Sequence, residues 1–239
     1  MKKFIISIDQ GTTSSRVILF DSKAKIVFKS QFEFKQYFPK NGWVEHDPKE
    51  IWSTTIKALK KVIKKASRLN GKIISIGITN QRETTIMWDK RTGKPVYNAI
   101  VWQDRRTQKY CNLLKSKNYE NNFRKKTGLF IDSYFSATKI KWILNNIPQT
   151  KRLIKSNNLL FGTVDTFLIW KLTNGKQHLT DATNASRTML YNINNNKWDN
   201  EIIKKLKIPM NILPKVKNSI DDFGYTDTKI TGKKIPIFA

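Results

Sequence analysis

Three short apolar runs at the start of the chain, Phe4 to Ile8, Val17 to Phe20 and Ile26 to Phe34, limit the possible folds more than any other feature. The third alternates partly between apolar and polar residues, as a half-buried strand does. Gly11 with its hydroxyl neighbours supplies a tight turn after the first run, and Asp21, Ser22 and Lys23 supply one after the second. The three runs therefore predict an antiparallel meander. Beyond the polar stretch Pro39 to Gly42, Asp47, Pro48 and Glu50 provide an N-cap, a proline at the first helical position and an acidic first turn. A long helix is predicted to about Leu69, ended by Gly71. Ile73 to Thr79 then reads as a buried strand that delivers Asn80, Gln81, Arg82 and Glu83, and a further strand is predicted from Thr84 to Trp88. Helical patterns follow near 104–116, 135–146, 163–171 and 199–206, separated by Gly128, Pro148 and Gly175. No repeat or linker divides the chain, and residues 1–239 read as one mixed α/β domain with helices flanking the sheet.

The 39% hydrophobic content, with seven Trp and thirteen Phe, suffices for a real core. The formal charge of +27 raises the question of nucleic acid or an acidic membrane as partner. Lysine, however, is spread from Lys2 to Lys234 without an Arg-rich stripe, and the densest cluster, Lys57 to Lys65, reads as the solvated face of an amphipathic helix. A solvated surface, with no nucleic-acid partner, is the expectation. Excess positive potential would still concentrate anionic ligands such as a nucleotide. No run of eighteen apolar residues appears, and the N-terminus lacks a cleavage site, so no membrane span and a cytoplasmic location are expected. A single cysteine, Cys111, and two distant histidines, His46 and His178, give no internal disulfide and no Cys/His metal cluster. Cys111 is read as an inert, partly buried thiol.

Four segments carry side chains suited to chemistry. Asp9 to Arg16 joins a carboxylate, a glycine, four consecutive hydroxyls and a guanidinium between two predicted strands. Backbone and hydroxyl donors in such a turn can wrap phosphate oxygens, Arg16 adds charge-assisted contacts, and Asp9 makes sense beside phosphate if Mg²⁺ lies between them. The same residues also read as a polar hairpin turn that satisfies its own backbone. Gln81, Arg82 and Glu83 follow a buried strand, where α/β sheets place ligands, and can hold a polyol by donating to one hydroxyl and accepting from another. They read equally as an ordinary surface ion pair. Ala99 to Trp102 is a predicted strand before a helix that Asp104 would cap, with Trp102 either shielding a ligand's carbons or filling core. In the fourth segment Ile140, Ile143 and Leu144 form a helical core stripe, while Tyr134 at its start fits either role.

Six strings occur in order along nearly the whole chain: Asp9 to Arg16, Gly42 to Pro48, Gly77 to Thr85, Asn98 to Gln103, Gly162 to Thr166 and Thr183 to Met189. Together they resemble the amino-terminal domain of the FGGY carbohydrate kinases, and Tyr134 to Asn146 fits that family's first signature. The resemblance implies a ribonuclease H-like, actin-type ATPase fold with two such domains closing on MgATP and a polyol. The set Arg82, Glu83 and Tyr134 resembles that of the members acting on glycerol, which yield sn-glycerol 3-phosphate and ADP. By the same resemblance Thr12, Thr13 and Ser14 would meet the nucleotide phosphates, Arg16 would meet ADP, and Asp9 would help hold Mg²⁺. Arg82, Glu83 and Tyr134 would bind glycerol hydroxyls, with Trp102 behind its carbons. Full-length relatives are expected to be homo-oligomers. The catalytic aspartate is expected beyond Ala239, together with the adenine-holding domain, so the 239 residues alone are expected to be inactive. Tyr225 to Lys234 has one glycine and no arginine where regulated members carry a glycine-rich loop that binds fructose 1,6-bisphosphate, which argues against that inhibition. The competing expectations are a half of another FGGY polyol or sugar kinase, and a non-catalytic basic ribonuclease H-like module that binds nucleic acid.

Overall fold

The computed structural model describes residues 1–238. The meander forms as expected: β1 (Lys2–Gln10), β2 (Ser14–Asp21) and β3 (Ile26–Glu33) pair antiparallel, the first two longer than their apolar runs and the third ending one residue short of Phe34. Alternation decides which face is inside, with Phe4, Ile6, Ile8, Val17 and Leu19 buried. The turn between β2 and β3 is tied by Asp21, whose Oδ1 accepts from the backbone N–H of Lys23 and Lys25. After the two-residue β4 (Glu45–His46) comes α1 (Pro48–Arg68), capped by Asp47, whose side chain accepts from Lys49 N. Helix α1 buries Ile51, Thr55, Ala58, Leu59, Val62 and Ile63 toward the sheet and leaves Lys57, Lys60, Lys61 and Lys64 exposed.

From α1 the chain returns as β5 (Gly71–Asn80), which pairs with β1 in parallel and gives the sheet order β3-β2-β1-β5. Next come β6 (Ile86–Asp89), β7 (Ala99–Ile100), α2 (Gln108–Ser116), α3 (Glu120–Thr127), α4 (Ser136–Asn146), α5 (Gln149–Lys155) and β8 (Leu159–Gly162), the last antiparallel to β6. The remainder holds α6 (Val164–Leu172), β9 (Leu179–Asp181), α7 (Ala182–Ser186), β10 (Tyr191–Asn192), β11 (Lys197–Trp198) and α8 (Asn200–Leu206). A 3-10 turn, Met210–Ile212, precedes β12 (Lys215–Lys217) and α9 (Thr228–Thr231). One apolar core lies between the sheet and helices α1 and α6, and includes Trp88 and Phe167. A second gathers Cys111, Phe123, Ile140, Ile143, Phe161 and Ile202 among the later helices.

Several expectations need correction. The helix expected near 104–116 begins only at Gln108, and Thr107, not Asp104, stands at its N-cap. Asp104 is buried and committed elsewhere: Oδ2 accepts from Val44 N at 2.7 Å and from the Arg106 guanidinium at 2.8 Å. A carboxylate taken out of water is held by its cation, and that partner lies two residues on rather than at a helix start. The strand expected through Trp102 stops at Ile100, and the one expected from Thr84 starts at Ile86. Cys111 is fully buried, not partly, and burial raises its thiol above the ordinary range.

Candidate functional site

Because β1 and β5 run parallel with Gln10 opposite Asn80, the chain leaves both strands at one edge of the sheet. The hydroxyl turn 11–13 and the segment 81–85 therefore lie side by side, joined by Gln81 N donating to Gln10 O at 2.7 Å. Beneath the turn is a buried polar layer that sequence reasoning missed. Gln81 Nε2 donates to Gly11 O at 3.1 Å and to Gln10 Oε1 at 3.2 Å, and Thr84 Oγ1 donates to Gln81 Oε1 at 2.9 Å. Gln81 Nε2 also lies 3.3 Å from His46 Nδ1, whose Nε2 is 2.6 Å from Gln36 Oε1, while Gln36 Nε2 reaches Thr12 O at 3.0 Å. Burial pushes His46 down to about 4, so near neutral pH the ring is uncharged, with Nδ1 accepting and Nε2–H donating. The available signal was three amides and a histidine, Gln10, Gln36, Gln81 and His46, each flanking a strand end.

Within the turn, Gly11 N donates to Ser14 O at 2.9 Å and Phe34 N to Thr13 O at 3.2 Å. Gly11 does not adopt the left-handed conformation, so the turn forms without the freedom that glycine supplies. Thr13 is exposed, and Thr12 and Ser14 are half-buried. Ser15, the fourth hydroxyl, points away from them and meets Thr54 and Thr55 of α1, as strand alternation requires. Asp9 and Arg16 face each other across β1 and β2 and form an ion pair, with Nε to Oδ2 at 3.1 Å. Among the described residues no group of three or more His, Cys, Asp or Glu gathers. Asp9 thus offers one carboxylate, the donor set of a Mg²⁺ that arrives with phosphate and keeps its waters.

On the other side of the turn, Trp102 Nε1 donates to Thr12 Oγ1 at 3.2 Å, and its ring lies 5.5 Å from that of Tyr134. Glu83 is buried, and its Oε1 accepts from Arg187 Nε at 2.5 Å. The Arg187 guanidinium also packs on the rings of Tyr134 and Phe135, at 5.7 and 5.0 Å. The ion pair here is therefore Glu83 with Arg187, not Glu83 with its neighbour Arg82. Arg82 is exposed, and its side chain makes no hydrogen bond among the described residues. It opens onto an adjoining cleft of about 440 Å³ lined also by Asn80, Asp165, Asp181 and Asn184. There, burial lifts Asp165 to about 6 against hydrogen bonds from Thr163 and Thr180. Burial would raise Asp181 too, but bonds from Ser219, Thr183 and Asn184 hold it below the ordinary range.

Glu83 has a φ of +63°, a left-handed conformation that costs a residue with a Cβ roughly 1–3 kcal/mol. Its carbonyl accepts from Ser136 Oγ at 3.0 Å and Lys139 Nζ at 3.3 Å, both on α4. Neither Lys139 nor Arg187 was singled out from sequence. Lys139 was detectable as a lysine one turn before Ile143 in an apolar stripe, and Arg187 lay within the string Thr183 to Met189. Trp102 thus touches both the hydroxyl turn and Tyr134, Arg187 joins Tyr134 to Glu83, and Arg82 lies on the adjoining cleft.

Residues 4–238 match the model of the FGGY family of carbohydrate kinases, N-terminal domain. The chain belongs to this family. The glycerol kinase of Petrotoga mobilis is 56% identical over 237 residues, which are 99% of this chain and 48% of that protein. The glycerol kinase of a Thermoanaerobacter species is 57% identical over the same length and shares. This FGGY chain thus spans about half the length of the curated relatives it matches. Among solved structures, Plasmodium falciparum glycerol kinase with ADP is similar at a TM-score of 0.96 and 40% identity, over 100% of this chain and 48% of that one. A gluconate kinase from Lactobacillus acidophilus, at 0.88 and 23% identity, covers 100% of this chain and 47% of its own and shows the shared actin-like fold alone. Among the described residues no helix is long and apolar enough to cross a membrane.

Proposed function

We propose that this chain supplies the glycerol-gripping and phosphate-gripping domain of an ATP-dependent glycerol kinase that works in the cytoplasm and yields sn-glycerol 3-phosphate and ADP. The observation that carries the reading is the joint at Trp102. Its indole bonds Thr12 of the hydroxyl turn and its ring meets Tyr134, so the residues read as phosphate-facing and those read as polyol-facing are joined through one side chain. Glu83 accepts from one glycerol hydroxyl while Arg82 donates to another, Tyr134 contacts a hydroxyl, and the Trp102 face covers the carbons. Thr12, Thr13 and Ser14 donate to the β- and γ-phosphate oxygens, and Arg16 swings from Asp9 to ADP. Asp9 would hold Mg²⁺, which would supply charge neutralisation at the transferring phosphoryl group. The residues of this chain thereby supply part of the positioning and charge stabilisation on which phosphoryl transfer rests.

The test is a fusion in which residues 1–238 replace the matching segment of the Petrotoga mobilis relative. It should form ADP only when glycerol is present, and Glu83→Ala should abolish that glycerol-dependent ADP formation. A folded fusion that phosphorylates gluconate or xylulose but not glycerol refutes the reading.

A further inference from the structure

We propose that Lys139 is the positioning residue of the polyol site: its buried ammonium holds the main-chain carbonyls of Glu83 and Tyr134 and so sets the spacing between their side chains. This rests on the reading that Glu83 and Tyr134 grip glycerol. Lys139 is wholly buried in the second turn of α4. Its Nζ donates to Tyr134 O at 2.7 Å and to Glu83 O at 3.3 Å, and no carboxylate lies within ion-pair distance of it among the described residues. An ammonium removed from water without a paired anion is costly, and Ala137, Ile140, Ile143 and Leu144, also buried on α4, offer it no partner. A lysine kept at such a place has a task that a hydrocarbon cannot perform. That task is visible in its two acceptors, which belong to two segments about fifty residues apart in sequence and carry two of the four polyol-facing side chains.

Glu83 gives the second line of argument. Its left-handed backbone persists only where the surroundings over-determine it, and α4 supplies two donors, Lys139 Nζ and Ser136 Oγ, to its carbonyl. Arg187 then fixes the carboxylate. One cation sets the backbone and another aims the side chain. The charged groups around Lys139 are Glu83 in the loop after β5, Asp104 and Arg106 before α2, and Asp132 before α4. Burial brings its proton loss down to about 7, with the three carboxylates opposing that fall and Arg106 adding to it. Its charge-assisted bonds therefore weaken as pH rises through neutrality.

The experiment is a titration of the chain with isotopically labelled glycerol, followed by NMR, for wild type and Lys139→Met, with near-UV circular dichroism as a check on folding. The wild-type Kd should rise about tenfold from about pH 6 to about pH 9. Lys139→Met should bind about 10- to 100-fold more weakly near neutrality, since a displaced contact of this kind acts through geometry, and should show no pH dependence over that range. A folded Lys139→Met that binds within about twofold of wild type overturns the proposal and leaves the glycerol reading intact. If that variant does not fold, the wild-type profile decides: a tenfold rise supports the proposal and a flat one overturns it. Wild type that binds no glycerol at any pH removes the glycerol reading itself, and this proposal with it.

Discussion

Replacing Arg106 by methionine tests whether the mouth of the site stands on a buried ionic support. The Arg106 side chain is 0% exposed and lies between the Trp43 and Trp142 rings, at 3.8 and 4.7 Å. Its Nη2 is 2.7 Å from Glu45 and 2.8 Å from Asp104, whose side chains are 4% and 0% exposed. Methionine keeps much of the stacking and leaves two buried carboxylates without their cation. Breaking a buried pair by deleting one partner costs about 3–5 kcal/mol. The two carboxylates do not double that figure, since Glu45 keeps Tyr97 and Asn98 as donors and Asp104 keeps the Val44 and Arg106 N–H groups. For a chain of this size the loss corresponds to a fall in Tm of about 6–20 °C. Urea unfolding followed by tryptophan fluorescence near neutral pH measures it directly. A second variant, Glu45→Gln, completes a double-mutant cycle: the pair should be less destabilised than the two single changes together, by about 0.5–3 kcal/mol. A loss below about 1 kcal/mol for Arg106→Met, the value of an exposed pair, or strict additivity in the cycle, refutes the reasoning.

Stability should also rise with pH between about 4 and 6.5. His46 and His178 are both lowered to about 4 by burial, so in that window the unfolded chain binds their protons and the folded one does not. Each contributes a slope of about 1.4 kcal/mol per pH unit. Asp165, raised to about 6, opposes with one such slope up to that pH, and the net sign stays positive. Urea midpoints that stay flat or fall from pH 4 to 6.5 count against the buried, neutral imidazoles. At position 83, Glu83→Gly and Glu83→Ala should both abolish glycerol binding, with the glycine variant more stable by about 1 kcal/mol, because only alanine keeps a strained φ. Equal stabilities in a denaturant titration argue against strain there. Gly162→Ala should cost about 1–3 kcal/mol in the same titration, since its Cβ would stand 2.5 Å from that of Thr166 and 3.0 Å from the Trp88 ring. An unchanged midpoint shows that the β8 to α6 junction yields.

The meander and α1 were legible because they rest on local signals, period-two burial and the Asp47 cap, although the left-handed residue after α1 is Asn70 and Gly71 already opens β5. The joint placement of Asp9 to Arg16 and Gln81 to Glu83 was not, since it rests on the parallel pairing of β1 with β5, a contact between segments far apart in sequence. What stayed hidden is tertiary. Asp104 beside a helix looks like a cap, and only the three-dimensional arrangement shows that Arg106 and Val44 claim it. The pairing of Glu83 with Arg187 spans a hundred residues, whereas sequence adjacency suggested Arg82. The short helices α3, α5 and α7 carry little periodic signal, so packing rather than propensity determines them. Lys139 was passed over because a lysine in an apolar stripe looks like an irregularity until its two carbonyl partners are seen.

The amide and imidazole layer beneath the hydroxyl turn has a consequence for how the site behaves when its surroundings change acidity. Gln10, Gln36 and Gln81 cannot ionise, and His46 gains a proton only near pH 4. The floor on which Thr12 and its neighbours rest is therefore electrically silent over the whole range in which a living cell operates. Any drift in the turn's attraction for an anion across that range must originate outside this floor.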